Sequence, residues 1–287
     1  MEEAFAQTQL GKSSQKQYVS KLTQWLSYTT YKTIDELIDH PTDATTTLYN
    51  MKTITQTPTN RHVYLSAVVA YLSHVLKATA QIQEPWKELQ KENWEPLADH
   101  YAQNEPTEKQ KDKVMEPAKI EEIRLSLEPG TLERLLLTFY TKMEPVRADY
   151  YATELIHTGE ESKEENYITM DTRHLVVRDF KTKHSHKAIE NTLPEEVIEE
   201  LSTSLKLYPR SYVFVMDDKK TPFTRKLFSN WACRTLTRIL HRPMTLTVLR
   251  HLYITEKIQT YSQEERREMA KKMGHSRGMQ TAYAWTA

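Results

Sequence analysis

Only five glycines occur in 287 residues, and this scarcity narrows the possible folds more than any other feature. Glycine supplies the positive-φ turns and close backbone approaches on which phosphate-cradling loops, dinucleotide folds and turn-rich β-barrels depend. A chain so poor in glycine excludes all three. Its abundant Lys, Glu, Leu and Gln favour helix instead. The length suits one large domain or two of ordinary size.

Cys233 is the only cysteine. It excludes disulfides within the chain and any multi-cysteine zinc or iron–sulfur site, and it fits an intracellular, reducing compartment. The opening MEEAFAQTQLGKSSQKQY is acidic and polar, unlike a secretory leader. No stretch is apolar over the roughly 20 residues that span a bilayer.

Thirty-nine basic and 39 acidic side chains give a net charge of zero, which taken alone argues against a polyanionic partner. The distribution argues otherwise. Residues 205–287 hold 16 Lys/Arg and 6 Asp/Glu, and the remainder carries the compensating acidic excess. A polyanion responds to local charge.

Residues 1–12 read as a flexible tail. From Ser13 or Ser14 as N-cap, Tyr18, Leu22, Trp25 and Leu26 fall at helical spacing. A short helix is expected over 45–54, and another is capped by Thr59 or Asn60, with Val63, Tyr64, Ala67, Val68, Tyr71, Leu72 and Val75 as its apolar stripe. A further helix is expected over 85–101. These helices predict a bundle over 13–104, with Tyr18, Trp25, Tyr64 and Tyr71 in its core. QNEPTEKQKDKVMEP reads as a linker over 105–117. The second domain, 118–287, begins with two helices separated by Glu128-Pro129-Gly130. NYITM, HLVVRDF and AIENTL then predict a small antiparallel sheet, and PEEVIEELSTSL reads as a helix with Pro194 at its first position. The rest reads as Arg- and Lys-rich helices. The fold class is thus mainly α: a helical bundle followed by an α+β domain.

Five positions in the second domain stand out: Arg147 in MEPVRADYYATEL, Lys181 in RDFKTKHSH, Arg250 in TLTVLRHLYIT, His275 in MAKKMGHSRGMQ and Tyr283 in TAYAWTA. Each has a plain reading alone. The arginines could form surface ion pairs, His275 could be a helix-end residue after Gly274, and Tyr283 is one of 16 tyrosines. Lys183 and Lys187 share the turn of Lys181, and Tyr253 and Tyr261 rival Tyr283 but precede the Gly-His pair.

The order Arg, turn Lys, Arg-His, Gly-His, Tyr resembles that of the tyrosine recombinases, the phage-integrase family. PVRADY resembles its first-arginine box, LRHLYIT its second, and MGHS followed by Tyr283 its last. PVRADY, FKTK and MGHS are most similar to integrase-like proteins of large eukaryotic DNA viruses, virophages and related mobile elements. The resemblance spans residues 13–287. It implies a core-binding domain followed by a catalytic domain that breaks and rejoins DNA through a 3′-phosphotyrosine at Tyr283. Arg147 and Arg250 would hold the phosphate, Lys181 would protonate the leaving 5′ oxygen, and His275 would donate a hydrogen bond to the phosphate. Double-stranded DNA would be the partner of a homotetramer on two duplexes. Neither cofactor nor metal is implied, nor is a membrane or a small-molecule substrate. The protein would be located wherever its target DNA is, in a host nucleus or a viral factory.

Thr247 departs from the pattern, which usually has His three residues before the second arginine. A threonine cannot take a proton near neutral pH. His251 matches the family's trailing His and is not a substitute base. Type IB topoisomerases and telomere resolvases share this constellation, and a DNA-binding protein without catalysis is the alternative that Thr247 motivates.

Overall fold

The computed structural model describes residues 1–51, 57–102, 104–183 and 188–285. They divide into two compact units, Met1–Gln103 and Asn104–Ala287.

The first unit is helical: α1 (Glu2–Ala6), α2 (Lys12–Leu26), α3 (Ile34–Ile38), α4 (Pro41–Asn50), α5 (Pro58–Ala70) and α6 (Ala80–Ala102). A π-helical turn, Tyr71–Val75, extends α5. Two tryptophans organise the core. Trp25 and Trp86 meet edge to face at 5.9 Å, and their indole N–H groups donate to the carbonyls of Ala44 and Ile38, both at 3.2 Å. Each ring thereby buries its body and satisfies its one polar atom. Tyr64 and Tyr71 are also buried, so the aromatic stripe is core, with Tyr18 at its edge. The expected flexible tail instead contains α1. Phe5 is fully buried between Tyr18 and Tyr71, and this apolar anchor holds the short helix against the bundle. Helix α2 starts one residue before Ser13, with Gly11 as N-cap and no side-chain cap. Thr57, rather than Thr59 or Asn60, caps α5 by accepting from the Asn60 N–H. The helix expected over 45–54 is α4, shifted towards the N-terminus by Pro41 in its first turn. Residues 52–54 of that expectation lie outside the described residues.

In the second unit, α7 (Glu108–Lys111), α8 (Pro117–Ser126) and α9 (Leu132–Thr141) precede a sheet of β1 (Glu154–Ile156), β2 (Asn166–Thr169), β3 (His174–Val177) and β4 (Ile189–Thr192). After the sheet come α10 (Glu195–Leu207), α11 (Arg225–Leu240), α12 (Leu246–Thr260), α13 (Gln263–Lys272) and α14 (Arg277–Tyr283). The segment expected as a linker is partly structured: Thr107 and Gln110 form a capping box for α7, and Met115 enters the core. Helix α9 is the centre of that core, since every residue from Leu135 to Tyr140 is buried. A helix apolar on all sides must be surrounded, and α8, α10, α11 and α12 pack around it. Its N-terminal turn needs Gly130 at φ +81, where a Cβ would lie 2.7 Å from Leu207.

The sheet order is β1-β2-β3-β4. The three anticipated strands pair antiparallel, and β1 joins β2 in parallel, making the sheet mixed. Three residues are too few to show a periodicity of two. The strand exists because the Ile156 carbonyl and its neighbours find partners across the loop, as in the 2.9 Å bond from the Met170 N–H. No helix among the described residues is long and apolar enough to cross a membrane.

Candidate active site

Arg250 lies in α12 and is completely buried. Thr245 caps that helix, and Leu246, Val248, Leu249 and Leu252 press the face bearing Arg250 into the core. Its Nη1 donates to the Pro145 carbonyl at 2.8 Å, two residues before Arg147. Its Nε and Nη2 are buried with no hydrogen-bond partner among the described residues. Burial lowers its pKa; Tyr283 opposes that shift, and the nearby Arg147 charge reinforces it. A buried cation with idle donors beside a second cation is costly unless an anion completes it.

Arg147 is half-buried in the loop after α9. The buried Tyr140 hydroxyl donates to its carbonyl. Its side chain lines an open depression of about 650 Å³ together with Lys181, Arg225, Lys226 and Asp179. The chain thus brings Arg147 and Lys181, both from its acidic part, against cations of its basic part. Lys181 is exposed and makes no ion pair among the described residues, whereas Lys183 is bound to Asp179 at 2.8 Å. Lys187 lies outside the described residues.

His275 follows Gly274, whose φ of +66 turns the chain out of α13. A Cβ at Gly274 would lie 2.5 Å from Ile189 and 3.3 Å from Phe180, so only glycine fits. The Gly274 carbonyl accepts from Thr182 Oγ1 at 2.9 Å, tying this corner to the residue after Lys181.

Tyr283 ends α14, a helix capped by Ser276. The Arg250 guanidinium lies 5.2 Å from its ring centroid, the His251 ring 4.6 Å and the His275 ring 5.6 Å. His251 Nδ1 is 2.7 Å from the Tyr283 carbonyl oxygen. Burial lowers the His251 pKa; the bond to that carbonyl opposes the shift. The ring is therefore neutral near pH 7, with the proton on Nδ1 as donor. Trp285 stacks on the His251 ring at 4.5 Å, and its main-chain N–H donates to Thr255 Oγ1 at 2.9 Å. His251 thus anchors the segment that carries Tyr283. Thr247 is exposed on the first turn of α12, and no hydrogen bond joins it to Tyr283 among the described residues.

Two residues escaped the sequence reading. Arg225 opens α11 and pairs with the buried Asp149; its Nη2 also donates to the Asp179 carbonyl at 3.0 Å. Asn166, buried at the start of β2, donates to the carbonyls of Asp149 at 2.9 Å and Asp179 at 3.2 Å. Weak signals for both existed. An arginine in the first turn of a helix opposes the helix dipole, and asparagine is depleted in strands.

Arg250, His251 and His275 meet at the half-buried Tyr283 ring, and Arg147, whose charge acts on Arg250, shares the open depression with Lys181. Such a set of cations and a phenol suits an anion under nucleophilic attack. No cluster of three or more His, Cys, Asp or Glu among the described residues could hold a metal.

No family model and no curated protein sequence matches the chain. Several solved structures match the chain. A lambda integrase fragment (75-356), determined as a dimer bound to a COC′ core site, is 13% identical with a TM-score of 0.60; the match covers 98% of this chain and 92% of that one. XerA recombinase is 14% identical with a TM-score of 0.46, over 97% of this chain and 89% of that one. The mainly helical architecture with its small mixed sheet is thus the fold of the lambda integrase fragment.

Proposed function

We propose that the protein is a tyrosine recombinase that cleaves and rejoins duplex DNA through a 3′-phosphotyrosine on Tyr283. The observation that carries this reading is Arg250, buried beside Arg147 and Tyr283 with Nε and Nη2 both unpaired among the described residues. A phosphodiester supplies the missing acceptors. The guanidinium forks of Arg147 and Arg250 match its non-bridging oxygens and the charge that grows on them in the transition state.

Tyr283 Oη attacks phosphorus. The Oη–P bond forms as the P–O5′ bond breaks, and the Lys181 ammonium gives its proton to the departing 5′ oxygen. His275 donates a hydrogen bond to the phosphate. The phenolic proton passes to water, since Thr247 cannot accept it. Attack by a 5′-hydroxyl on the phosphotyrosine reverses the step, so no nucleotide hydrolysis is required. The helical unit acts as the core-binding domain, and exchange takes place in a homotetramer on two duplexes. Binding rests largely on phosphate contacts and weakens steeply with salt.

A nicked suicide substrate tests the nucleophile. Wild type forms a covalent adduct that survives denaturant and persists with a chelator present, and Tyr283→Phe forms none. An undiminished adduct in that variant sinks the assignment. Relaxation of supercoiled DNA without partner exchange would indicate topoisomerase activity. The exposed Thr247 favours one other reading, a DNA-binding protein without catalysis, which predicts salt-sensitive binding and no adduct.

A further inference from the structure

The segment carrying Arg147 and the turn carrying Lys181 are far apart in sequence and are held together at two points. Arg225 makes the first. Its guanidinium pairs with Asp149, two residues after Arg147, and reaches the carbonyl of Asp179 at 3.0 Å and its Oδ2 at 3.3 Å, two residues before Lys181. Asn166 makes the second. Its amide donates to the main-chain carbonyls of the same two residues, and its Oδ1 accepts from the Asp179 N–H at 2.8 Å and the Arg178 N–H at 3.0 Å. Tyr151 and Lys183 complete the shell of Asp179 by donating to its two carboxylate oxygens.

The geometry points to Arg225 and Asn166 as positioning residues that set the distance between the phosphate-binding Arg147 and the proton donor Lys181. This inference rests on the recombinase reading and deepens it. Lys181 is exposed on a turn; Thr182, one residue on, ties that turn to the Gly274 corner, and among the described residues only the Asp149–Asp179 shell ties it to the Arg147 segment. A proton donor is effective only at hydrogen-bond distance from the oxygen it serves, and a misplacement of about 1 Å can cost ~10²-fold in rate. Arg225 reaches Asp149 through Nη1 and Asp179 through Nη2 because a guanidinium holds its donors in a fixed planar fork; an ammonium lacks that fixed geometry.

The test uses a substrate that needs no proton donor. With sulfur replacing the bridging 5′ oxygen, the leaving group is a thiolate, stable without protonation. Single-turnover adduct formation is measured on the ordinary and the 5′-thio substrate for wild type, Lys181→Ala, Arg147→Ala, Arg225→Lys and Asn166→Ala, with a thermal melt for each. We expect Arg225→Lys and Asn166→Ala to be slowed roughly tenfold or more on ordinary DNA and largely restored on the thio substrate, as Lys181→Ala is. Arg147→Ala stays slow on both. Equal slowing of the positioning variants on both substrates, or a wild-type rate on ordinary DNA, overturns the inference while leaving the recombinase reading intact. Should one variant not fold, the other decides. If Lys181→Ala is not restored, Lys181 is not the donor and the inference falls with it. If wild type forms no adduct on either substrate, the recombinase reading itself has failed.

Discussion

Arg124 and Arg250 are both among the largest fully buried side chains, at 2% and 0% exposure, yet they are held in opposite ways. In α8, Arg124 is saturated. Its Nε and Nη2 grip Glu121 at 2.9 and 2.8 Å, Nη1 reaches Thr138 at 3.2 Å, and Glu196 adds a further pair. Lys142 joins the same carboxylates. In α12, Arg250 has one carbonyl and no salt bridge among the described residues, and Arg147 adds like charge beside it. The first arginine is complete within the fold. The second leaves Nε and Nη2 without acceptors among the described residues, and the proposed reading puts a phosphate there. Burial alone therefore does not distinguish a structural arginine from a functional one; the inventory of acceptors does.

The largest expected effect concerns Arg250. Arg250→Met should slow DNA cleavage by roughly 10²–10³-fold, as loss of a preorganised transition-state donor does. The same variant should be as stable as wild type or more so, because an uncompensated buried cation is replaced by an apolar chain. Pairing single-turnover kinetics with denaturant unfolding checks both halves, and a large loss of stability would erase the contrast with Arg124.

Arg124→Met should show the reverse pattern, with about 2 kcal/mol of stability lost and cleavage almost unchanged at a temperature where the variant stays folded. The loss is held to that size because Glu121 and Glu196 are partly exposed and can rehydrate. Urea titration reads the first and adduct formation the second.

Sulfate or phosphate should stabilise wild type by occupying the incomplete arginine site. At ten times its Kd an anion adds about 1.4 kcal/mol. The increment should vanish in Arg250→Met and survive in Arg124→Met. An equal increment in all three would indicate nonspecific salting rather than a site.

The smallest effect lies at Asp179. Burial raises its pKa, but hydrogen bonds from Lys183 and Tyr151 and the Arg225 charge outweigh burial and hold it at about 2. A carboxyl depressed on folding contributes stability above its unfolded pKa and loses it as pH falls through the folded value. The contribution should therefore fade between about pH 4 and 2. It is worth about 1 kcal/mol after allowing for solvent screening. Denaturation curves between pH 5 and 2.5 should fall more steeply for wild type than for Asp179→Asn.

Local signals carried much of this molecule. The Tyr18, Trp25, Tyr64 and Tyr71 stripe has helical period and lies in or against the bundle core, and the three longer strands showed their β-branched character. Arg147, Lys181, Arg250, His275 and Tyr283 were singled out by a pattern of short boxes, each weak alone. What was illegible depends on distance along the chain. Strand β1 is three residues long and exists by pairing across a loop. Phe5 anchors α1 only because Tyr18 and Tyr71 leave it a slot. Asn166 and Arg225 matter through carbonyls and carboxylates up to 76 residues away. Backbone hydrogen bonding leaves no trace in side-chain periodicity, so these connections could be found only in three dimensions.

Gly274 has a consequence for how such a chain can diverge. Because a side chain there would strike Ile189 and Phe180, the corner that presents His275 is gauged against the sheet and the Lys181 turn. A side chain at 274 must displace the tip of Ile189, and it still meets the strain of a left-handed backbone. A lineage retaining the histidine should therefore keep glycine at 274, or change it together with 189. In descendants that have lost catalysis, that constraint should be among the first to relax.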